Sequence, residues 1–234
     1  MIIWRLFDPR DPTFAEAGWR GAWSESTGQL CPECTASPQH RVQPLILEWE
    51  PGSDRIGDFT CTGICDGFAV TEPVGMELQR RFKGFELGPV EMIQAPKLKR
   101  PKRLTRRTKP RVWLPYTGSR LYELWLTTWV HMDRERTTAK LVRRCSTCGR
   151  ERYELRGMEK TESKWDIERR EGYDVHTPRT PGGGLYVGAA ALEGADIFRV
   201  YEFSGWVFCT DRVKRFIEHQ EFTNITFMEM GDAI

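Results

Sequence analysis

Apolar and polar positions alternate in short runs along much of this chain, which is the pattern of half-buried β-strands. Residues 1–30 set Trp and Phe among polar residues, Gly and Pro, and Leu45 to Leu47 add a short apolar run. Leu121 to Val130 is rich in Leu and Trp. We interpret that segment as one buried strand that leads toward the cysteines at positions 145 and 148.

A helical period first interrupts this alternation after the strand predicted at Phe68 to Val70. Pro73 suits the first turn of a helix. Apolar residues then recur at helical spacing until Gly84, a residue type that commonly follows the end of a helix. The sequence therefore predicts a helix over 73–83 and a strand from Phe85 to Met92.

The same order of elements returns near the C-terminus. Val200 to Phe203 and Trp206 to Phe208 predict two strands. Thr210 is a residue type that caps helix N-termini, so a helix is predicted over 211–220. A last strand is predicted from Ile225 to Met230.

These two stretches can be aligned with each other. Gly67 aligns with Gly205, and Phe85 aligns with Phe222, at an offset of 137 or 138 residues. A diverged internal duplication explains the match. An ordinary recurrence of strand, helix and strand explains it equally well, so both interpretations stay open here.

The pattern predicts an α+β fold with mainly antiparallel strands, two main helices and a four-cysteine zinc knuckle. We expect a zinc-bearing domain over 1–157, which includes the first strand–helix–strand unit and a basic loop at 94–112. Residues 158–234 form a C-terminal strand–helix–strand module that packs with the first domain as one globule. Within it, residues 158–186 are charged and then rich in Gly and Pro, which predicts irregular structure.

Composition places the chain among globular proteins of a reducing compartment. Apolar residues make up 39% and charged residues 29%, enough of each for a core and a solvated surface. No stretch approaches the roughly 18 consecutive apolar residues that span a membrane, and the first residues do not resemble a signal peptide. We therefore expect a cytoplasmic protein, in which the seven cysteines are thiols or metal ligands rather than disulfides.

Four cysteines have the spacing of a zinc site. Cys31 and Cys34 form one Cys-x-x-Cys pair, and Cys145 and Cys148 form another. A two-residue gap lets both thiolates of a pair bind one ion, and two pairs complete a closed tetrahedral site. Gly149 allows a left-handed backbone after the second pair. The prediction is one structural zinc ion per chain, bound across a gap of 110 residues.

The four cysteines also allow interpretations other than zinc binding. Four reduced structural thiols, or a site that has lost its metal, remain alternatives to zinc. A redox pair normally opens a helix after a strand, which neither pair does. A zinc deaminase requires His-x-Glu before Pro-Cys-x-x-Cys. The one His-x-Glu tripeptide in the sequence begins at His219, which lies after both cysteine pairs. Cys61, Cys65 and Cys209 are interpreted as ordinary buried thiols.

Charge is concentrated in one segment. Residues 97–111 contain nine basic residues and no acidic one, which leaves 26 basic against 33 acidic residues in the rest of the chain. We expect a long loop there. It could grip nucleic-acid phosphates or an acidic protein, or it could simply be solvated. No P-loop and no nucleophile motif is present, so a binding protein without catalytic residues is favoured over an enzyme.

The order of these motifs resembles the myxobacterial double-CxxCG-motif family. The resemblance rests on CPEC at residues 31–34, on the segment IGDFTCTGICDGFAVTEPVGMELQRRFKGFELGPVEMI, and on KLVRRCSTCGRERYEL. The C-terminal segment FRVYEFSGWVFCTDRVKRFIEHQEFTNITFMEM is similar to the tail of a broader set of bacterial immunity proteins. The first pair departs from the family pattern, because CPECT lacks the glycine that gives the motif its name.

The resemblance implies an immunity protein that binds and neutralises a cognate polymorphic toxin in kin discrimination. The toxin would be a lipoprotein encoded beside the immunity gene, and toxins of this kind often look like His-Me finger or HNH-type nucleases. The toxin-binding surface is not assigned by the sequence. The alternative function is that of a nucleic-acid-binding zinc protein that uses residues 97–111.

Overall fold

Strands make up most of the structure, with two α-helices among the described residues. The computed structural model describes residues 1–20, 22–23, 31–34, 41–62, 67–95, 98–100, 109–166 and 171–234. The helices are α1 (Glu72–Arg81) and α2 (Asp211–His219). The predicted α+β fold with mainly antiparallel strands is confirmed. In chain order the strands are β1 (Ile2–Phe7), β2 (Ala17–Trp19), β3 (Ala22–Trp23), β4 (Arg41–Val42), β5 (Leu45–Trp49), β6 (Phe59–Cys61), β7 (Phe68–Thr71), β8 (Phe85–Ile93), β9 (Leu121–Leu126), β10 (Trp129–Val130), β11 (Ala139–Arg144), β12 (Glu151–Leu155), β13 (Lys160–Asp166), β14 (Glu171–Thr177), β15 (Leu185–Val187), β16 (Ile197–Val200), β17 (Val207–Thr210) and β18 (Thr226–Ala233).

Two six-stranded sheets form the body. The first sheet has the spatial order β6-β7-β9-β8-β5-β2, and the second has the order β10-β16-β17-β1-β18-β15. The second sheet crosses the domain boundary predicted at residue 157, because β1 and β10 from the N-terminal part lie in it. Three two-stranded ribbons, β3-β4, β11-β12 and β13-β14, complete the described strands.

Five strands of each sheet share one topology. In the first sheet β6, β7, β9 and β8 are antiparallel neighbours and β5 is parallel to β8. In the second sheet β16, β17, β1 and β18 are antiparallel neighbours and β15 is parallel to β18. A helix directly follows β7 in one sheet and β17 in the other. This correspondence supports the duplication interpretation, with β1 in the place that β9 holds.

Both helices pack into one core that the two sheets share. The helix α1 has Pro73 in its first turn and buries Val74 and Leu78, while α2 buries Val213 and Ile217. Burying each such side chain stabilises the fold by about 1.5–3 kcal/mol. The same cluster of buried side chains includes residues from both sheets: Leu6, Phe59, Phe68, Leu124, Ile197 and Val207.

The opposite face of each sheet has a core of its own. Leu45 and Leu47 lie in a cluster on the first sheet, and Ile3 and Phe198 lie in a cluster on the second. Since neighbouring residues of a strand point to opposite faces, Ile197 contributes to the shared core and Phe198 to the outer one. The second sheet's outer cluster also includes Leu155 of β12, which anchors the β11-β12 ribbon.

The cap of α2 differs from the prediction. Thr210 is the N-cap residue, as predicted, but its hydroxyl makes no capping hydrogen bond to the helix. It donates instead to Oδ1 of Asp196, at 3.2 Å. Thr210 therefore ties the start of α2 to the turn before β16.

Three local predictions were wrong. The strand predicted over Leu121 to Val130 is broken, because the N–H groups of Thr127 and Thr128 donate to the carbonyl of Gly84 and the chain then enters the second sheet. Residues Tyr201–Phe203 form a short 3₁₀ helix that follows β16. Residues 158–186 contain the β13-β14 ribbon, whose largely polar strands give no apolar alternation to detect.

Gly84 allows the chain to pass against the second sheet. It has a φ of +104°, and a Cβ atom there would lie 2.0 Å from the carbonyl oxygen of Ile197. Next to it, the carbonyl of Lys83 accepts hydrogen bonds from the N–H groups of Asp196 and Ile197, at 2.9 and 3.1 Å. This junction joins the end of α1 to β16.

We expect Gly84→Ala to lower the free energy of unfolding by at least about 2 kcal/mol, because the methyl group meets backbone atoms at a left-handed position. Urea denaturation measures the change. Gly205→Ala is the matched control, since a Cβ atom at Gly205 would meet nothing within 4 Å. Equal stability of the two variants would contradict the close approach.

Candidate metal centre

Each cysteine pair lies between two paired strands. Cys31 and Cys34 lie in the chain between β3 and β4, which pair through Ala22 with Val42 and Trp23 with Arg41. Cys145 and Cys148 form the turn between β11 and β12. The first ribbon directly precedes β5, whereas the β13-β14 ribbon lies between the second ribbon and β15. The two cysteine pairs therefore come from distant segments of the chain that do not hold equivalent places in the two sheets.

The second turn has a clear local cause. The N–H of Cys145 donates to the carbonyl of Arg150 at 2.9 Å, and the N–H of Gly149 donates to the carbonyl of Cys145 at 3.0 Å. Gly149 has a φ of +73°, the left-handed conformation predicted for it. These bonds close the turn and direct both cysteine side chains to one side of the ribbon end.

The four sulfur atoms converge. All of them lie within 4.8 Å of one another, and the Sγ–Sγ distance is 3.5 Å both from Cys31 to Cys145 and from Cys34 to Cys148. Four thiolates at about 2.3 Å from a tetrahedral ion would be about 3.8 Å apart. The group could therefore hold a metal ion, and the prediction that residues 31–34 meet residues 145–148 is confirmed.

The thiols differ in exposure. Cys31 and Cys145 are buried, with 8% and 2% of their surface exposed. Cys34 is half-buried and Cys148 is exposed. The 3.5 Å contacts join the two buried cysteines to each other and the two outer cysteines to each other, so one side of the group faces the protein and the other faces solvent.

The two buried thiols have opposite acidities. The backbone N–H of Cys34 donates to the Cys31 sulfur and is the main reason that the pKa of Cys31 is lowered to about 6, although burial opposes this shift. The backbone N–H of Cys148 acts in the same sense on Cys145. Burial and the adjacent Cys31 sulfur nevertheless raise the pKa of Cys145 to about 12. A thiolate at Cys31 therefore disfavours a second one at Cys145 until a cation is present.

One carboxylate links the two pairs. Oε2 of Glu33, in the first pair, accepts hydrogen bonds from the backbone N–H groups of Ser146 and Thr147 at 2.9 and 3.2 Å. The hydroxyl of Ser146 donates to it at 2.6 Å. These hydrogen bonds, above all those from Ser146, lower the pKa of Glu33 to about 2. The sequence pattern did not single out Glu33. It could have been found by noting that CPEC contains an acidic residue, whereas CSTC contains two hydroxyl residues that can donate hydrogen bonds to it.

A ladder of ion pairs connects the second ribbon to the second sheet. Glu151, next to the turn, accepts hydrogen bonds from Arg134 at 2.9 Å, from the hydroxyl of Tyr153 at 2.6 Å, and from Arg144. The Tyr153 and Arg144 hydrogen bonds lower the pKa of Glu151 to about 2. Arg134 also lies 4.0 Å from Glu202. These ion pairs fix the turn end of the ribbon, next to Cys145, while Leu155 anchors its other end.

The remaining cysteines lie away from this group. Cys209 is fully buried in the shared core, which raises the pKa of its thiol well above the ordinary value, so the prediction of a core thiol is confirmed. Cys61 is half-buried against the same core. Cys65 lies outside the described residues.

The basic segment is described only in part. Lys97 and residues 101–108 lie outside the described residues. The long loop and its contacts with phosphates or an acidic protein therefore stay a prediction. In the part of the chain that the structure describes, no helix is long and apolar enough to cross a membrane.

No protein-family model and no curated protein matches the chain. The resemblance to immunity proteins therefore rests on the quoted segments alone. The convergence of the four sulfur atoms is independent of that resemblance, because it is a feature of the fold.

We expect metal uptake at this group to release protons, since a cation must displace the proton held by Cys145. The apparent affinity for Zn²⁺ should fall as the pH falls, and more steeply below a pH of about 6, where the Cys31 thiolate also takes up a proton. Competition with a chelator of known acidity, measured between about pH 7.5 and about pH 5, gives the slope. A constant slope over this range would contradict an ionised Cys31, and Cys61→Ala should leave the slope unchanged.

Proposed function

We propose that Cys31, Cys34, Cys145 and Cys148 bind one structural zinc ion. The convergence of four sulfur ligands is the observation that supports this. Thiolates are soft ligands, and a tetrahedral set of four favours zinc or an iron–sulfur centre. The spacing of the two pairs is that of structural zinc sites, which are closed by four protein ligands. When bound, the ion supplies the positive charge that lets all four thiols ionise.

The proposed role of the zinc is to join the two halves of the chain. Each half contributes one cysteine pair, and 110 residues separate Cys34 from Cys145. Closing a long loop costs conformational entropy, which metal binding offsets when it is coupled to folding. The four residues then act as a clasp, and no bond of a substrate is changed there.

Protein purified without chelator should contain one zinc ion per chain and no iron, as measured by elemental analysis. We expect Cys145→Ser to abolish zinc binding and to lower the melting temperature strongly or prevent folding, because it leaves a buried, incomplete ligand set. Cys61→Ser is the control, since Cys61 lies outside the group. Zinc-free wild-type protein, or a Cys145→Ser variant as stable as the wild type, would contradict the proposed site.

We propose further that the protein is an immunity protein that binds a cognate toxin, with a nuclease of the His-Me finger or HNH type as the expected target. The motif order from CPEC to CSTCG, and the similarity of the C-terminal segment to other immunity proteins, support this. Such a protein acts by covering or distorting the active site of the toxin, so it needs a complementary surface rather than catalytic residues. High affinity then comes from a few buried anchor residues and from complementary charge.

We expect the toxin encoded by the neighbouring gene to arrest bacterial growth when it is expressed alone. Co-expression of this protein should restore growth. A toxin with its catalytic residue substituted is the control for general toxicity of expression. The Cys145→Ser variant should fail to rescue growth if the clasp maintains the fold. Growth arrest in the presence of abundant, folded wild-type protein would contradict the immunity function.

Binding of nucleic acid is the second candidate function, and the charge of the second ribbon favours it. Residues 134–156 contain eight basic and three acidic residues, a net charge of +5. Five of these cations form ion pairs: Arg134 and Arg144 with Glu151, Arg136 with Asp133, Arg143 with Glu33, and Arg156 with Glu154. The charge that could attract phosphates beside the proposed zinc site therefore comes from Lys140, Arg150 and Arg152.

A further inference from the structure

The side chain of Glu33 reaches across the metal centre into the opposite cysteine pair. Its Oε2 atom accepts hydrogen bonds from the N–H and hydroxyl groups of Ser146 and from those of Thr147. The Cys145 thiol also donates to the same oxygen, at 3.3 Å, a bond that is lost when the thiol ionises to bind a metal. Every one of these donors belongs to the second pair, which is more than 110 residues away in the chain.

Arg143 strengthens the same contact from the adjoining strand. Its guanidinium donates to the main-chain carbonyl of Glu33 at 3.0 Å and to Oε1 of Glu33 at 3.3 Å. The first pair is thus held by its backbone as well as by its carboxylate. Hydrogen bonds to an ionised group are roughly twice as strong as neutral ones.

The contact is asymmetric although the two pairs correspond. Thr147 holds the position in the second pair that Glu33 holds in the first, and its short side chain donates to Glu33 rather than reaching the first turn. Among the described residues of the two cysteine pairs, Glu33 is therefore the one long anionic side chain that reaches from one pair to the other. Its carboxylate is occupied by donors, so it does not serve as a fifth ligand.

We infer that Glu33 is the positioning residue of the metal centre, which docks the first cysteine pair onto the second and sets the metal affinity by holding the four sulfur atoms in place. This inference rests on the proposed zinc site. A ligand set that is already assembled loses less conformational entropy when the ion binds. Residues that orient metal ligands typically change metal affinity by about 10–100-fold when they are substituted.

The test compares Glu33→Ala and Glu33→Gln with Glu154→Ala. Glu154 is an exposed glutamate on the same ribbon as Cys145 and pairs with Arg156 at 3.1 Å. Zinc affinity is measured by chelator competition on folded protein, and urea denaturation reports stability separately. The thiolate-to-cobalt charge-transfer spectrum of the Co²⁺-loaded protein shows whether four sulfur ligands still bind.

We expect Glu33→Ala to weaken zinc binding about 10–100-fold while the Co²⁺ spectrum still reports four thiolates. Glu33→Gln keeps one acceptor oxygen and should lose less affinity, and Glu154→Ala should match the wild type. Ser146→Ala removes the 2.6 Å hydroxyl bond but keeps the N–H donor. Its effect should largely disappear in the Glu33→Ala background, because the two residues act as one unit.

The outcomes separate this inference from the zinc proposal. A wild-type protein that binds no zinc overturns both. Wild-type zinc binding with an unchanged affinity in Glu33→Ala overturns only the role of Glu33. If the folded variants lose stability but keep their zinc affinity, Glu33 only stabilises the fold. That outcome also overturns its role as the positioning residue. If Glu33→Ala does not fold, Glu33→Gln and Ser146→Ala decide by the same affinity measurement.

Discussion

The hydrogen bonding of β1 between β17 and β18 is the constraint on which the rest of the structure depends. A sheet whose central strand is missing would leave the inner edges of β17 and β18 without partners, and unpaired buried backbone groups are costly. Ile3 and Leu6 of this strand are fully buried and contribute to different cores. Since β1 precedes the whole first sheet in the chain, the second sheet can form only when the two ends of the chain come together.

That closure explains why two distant cysteine pairs meet. In the first sheet the strand between β7 and β8 is β9, which follows β8 in the chain. In the second sheet the strand between β17 and β18 is β1, which comes from the other end of the chain. The two halves therefore share one core, joined by Gly84 against β16 and by the helices. On this joined body, the segment between β3 and β4 meets the turn between β11 and β12, and the four sulfur atoms come within 4.8 Å of one another.

Local sequence signals predicted the parts of the fold that local energetics determine. The bounds of α1 and α2 agree with the predicted ones to within two residues, because the signals of Pro73, Thr210 and the apolar spacing act over a few residues. The pairing of β1 with β17 and β18 is non-local and left no mark that a single sequence can reveal. The β13-β14 ribbon was missed because its strands are polar, so the periodicity that marks a half-buried strand is absent. Of the candidate metal centre, the convergence of the four cysteines was predictable from their spacing, but the contacts of Glu33 were not, since they depend on which groups the opposite turn presents.

If the four cysteines bind zinc as proposed, the contacts between the two turns determine how much of the group is assembled before the ion binds. If the metal alone held the pairs together, the two ribbons would need few direct contacts, and the ion would have to offset the whole entropy of closing the loop. Here Glu33 accepts four hydrogen bonds from Ser146 and Thr147, and Arg143 grips the backbone of the first pair. Part of the free energy that brings the two cysteine pairs together therefore comes from hydrogen bonds within the chain, and the shared core contributes to it as well. The cost of this arrangement is a carboxylate beside a thiolate cluster, and Arg143 offsets that negative charge. Under the proposed immunity function, such contacts would keep the toxin-binding surface fixed, because the shape of the protein would then depend less on metal binding.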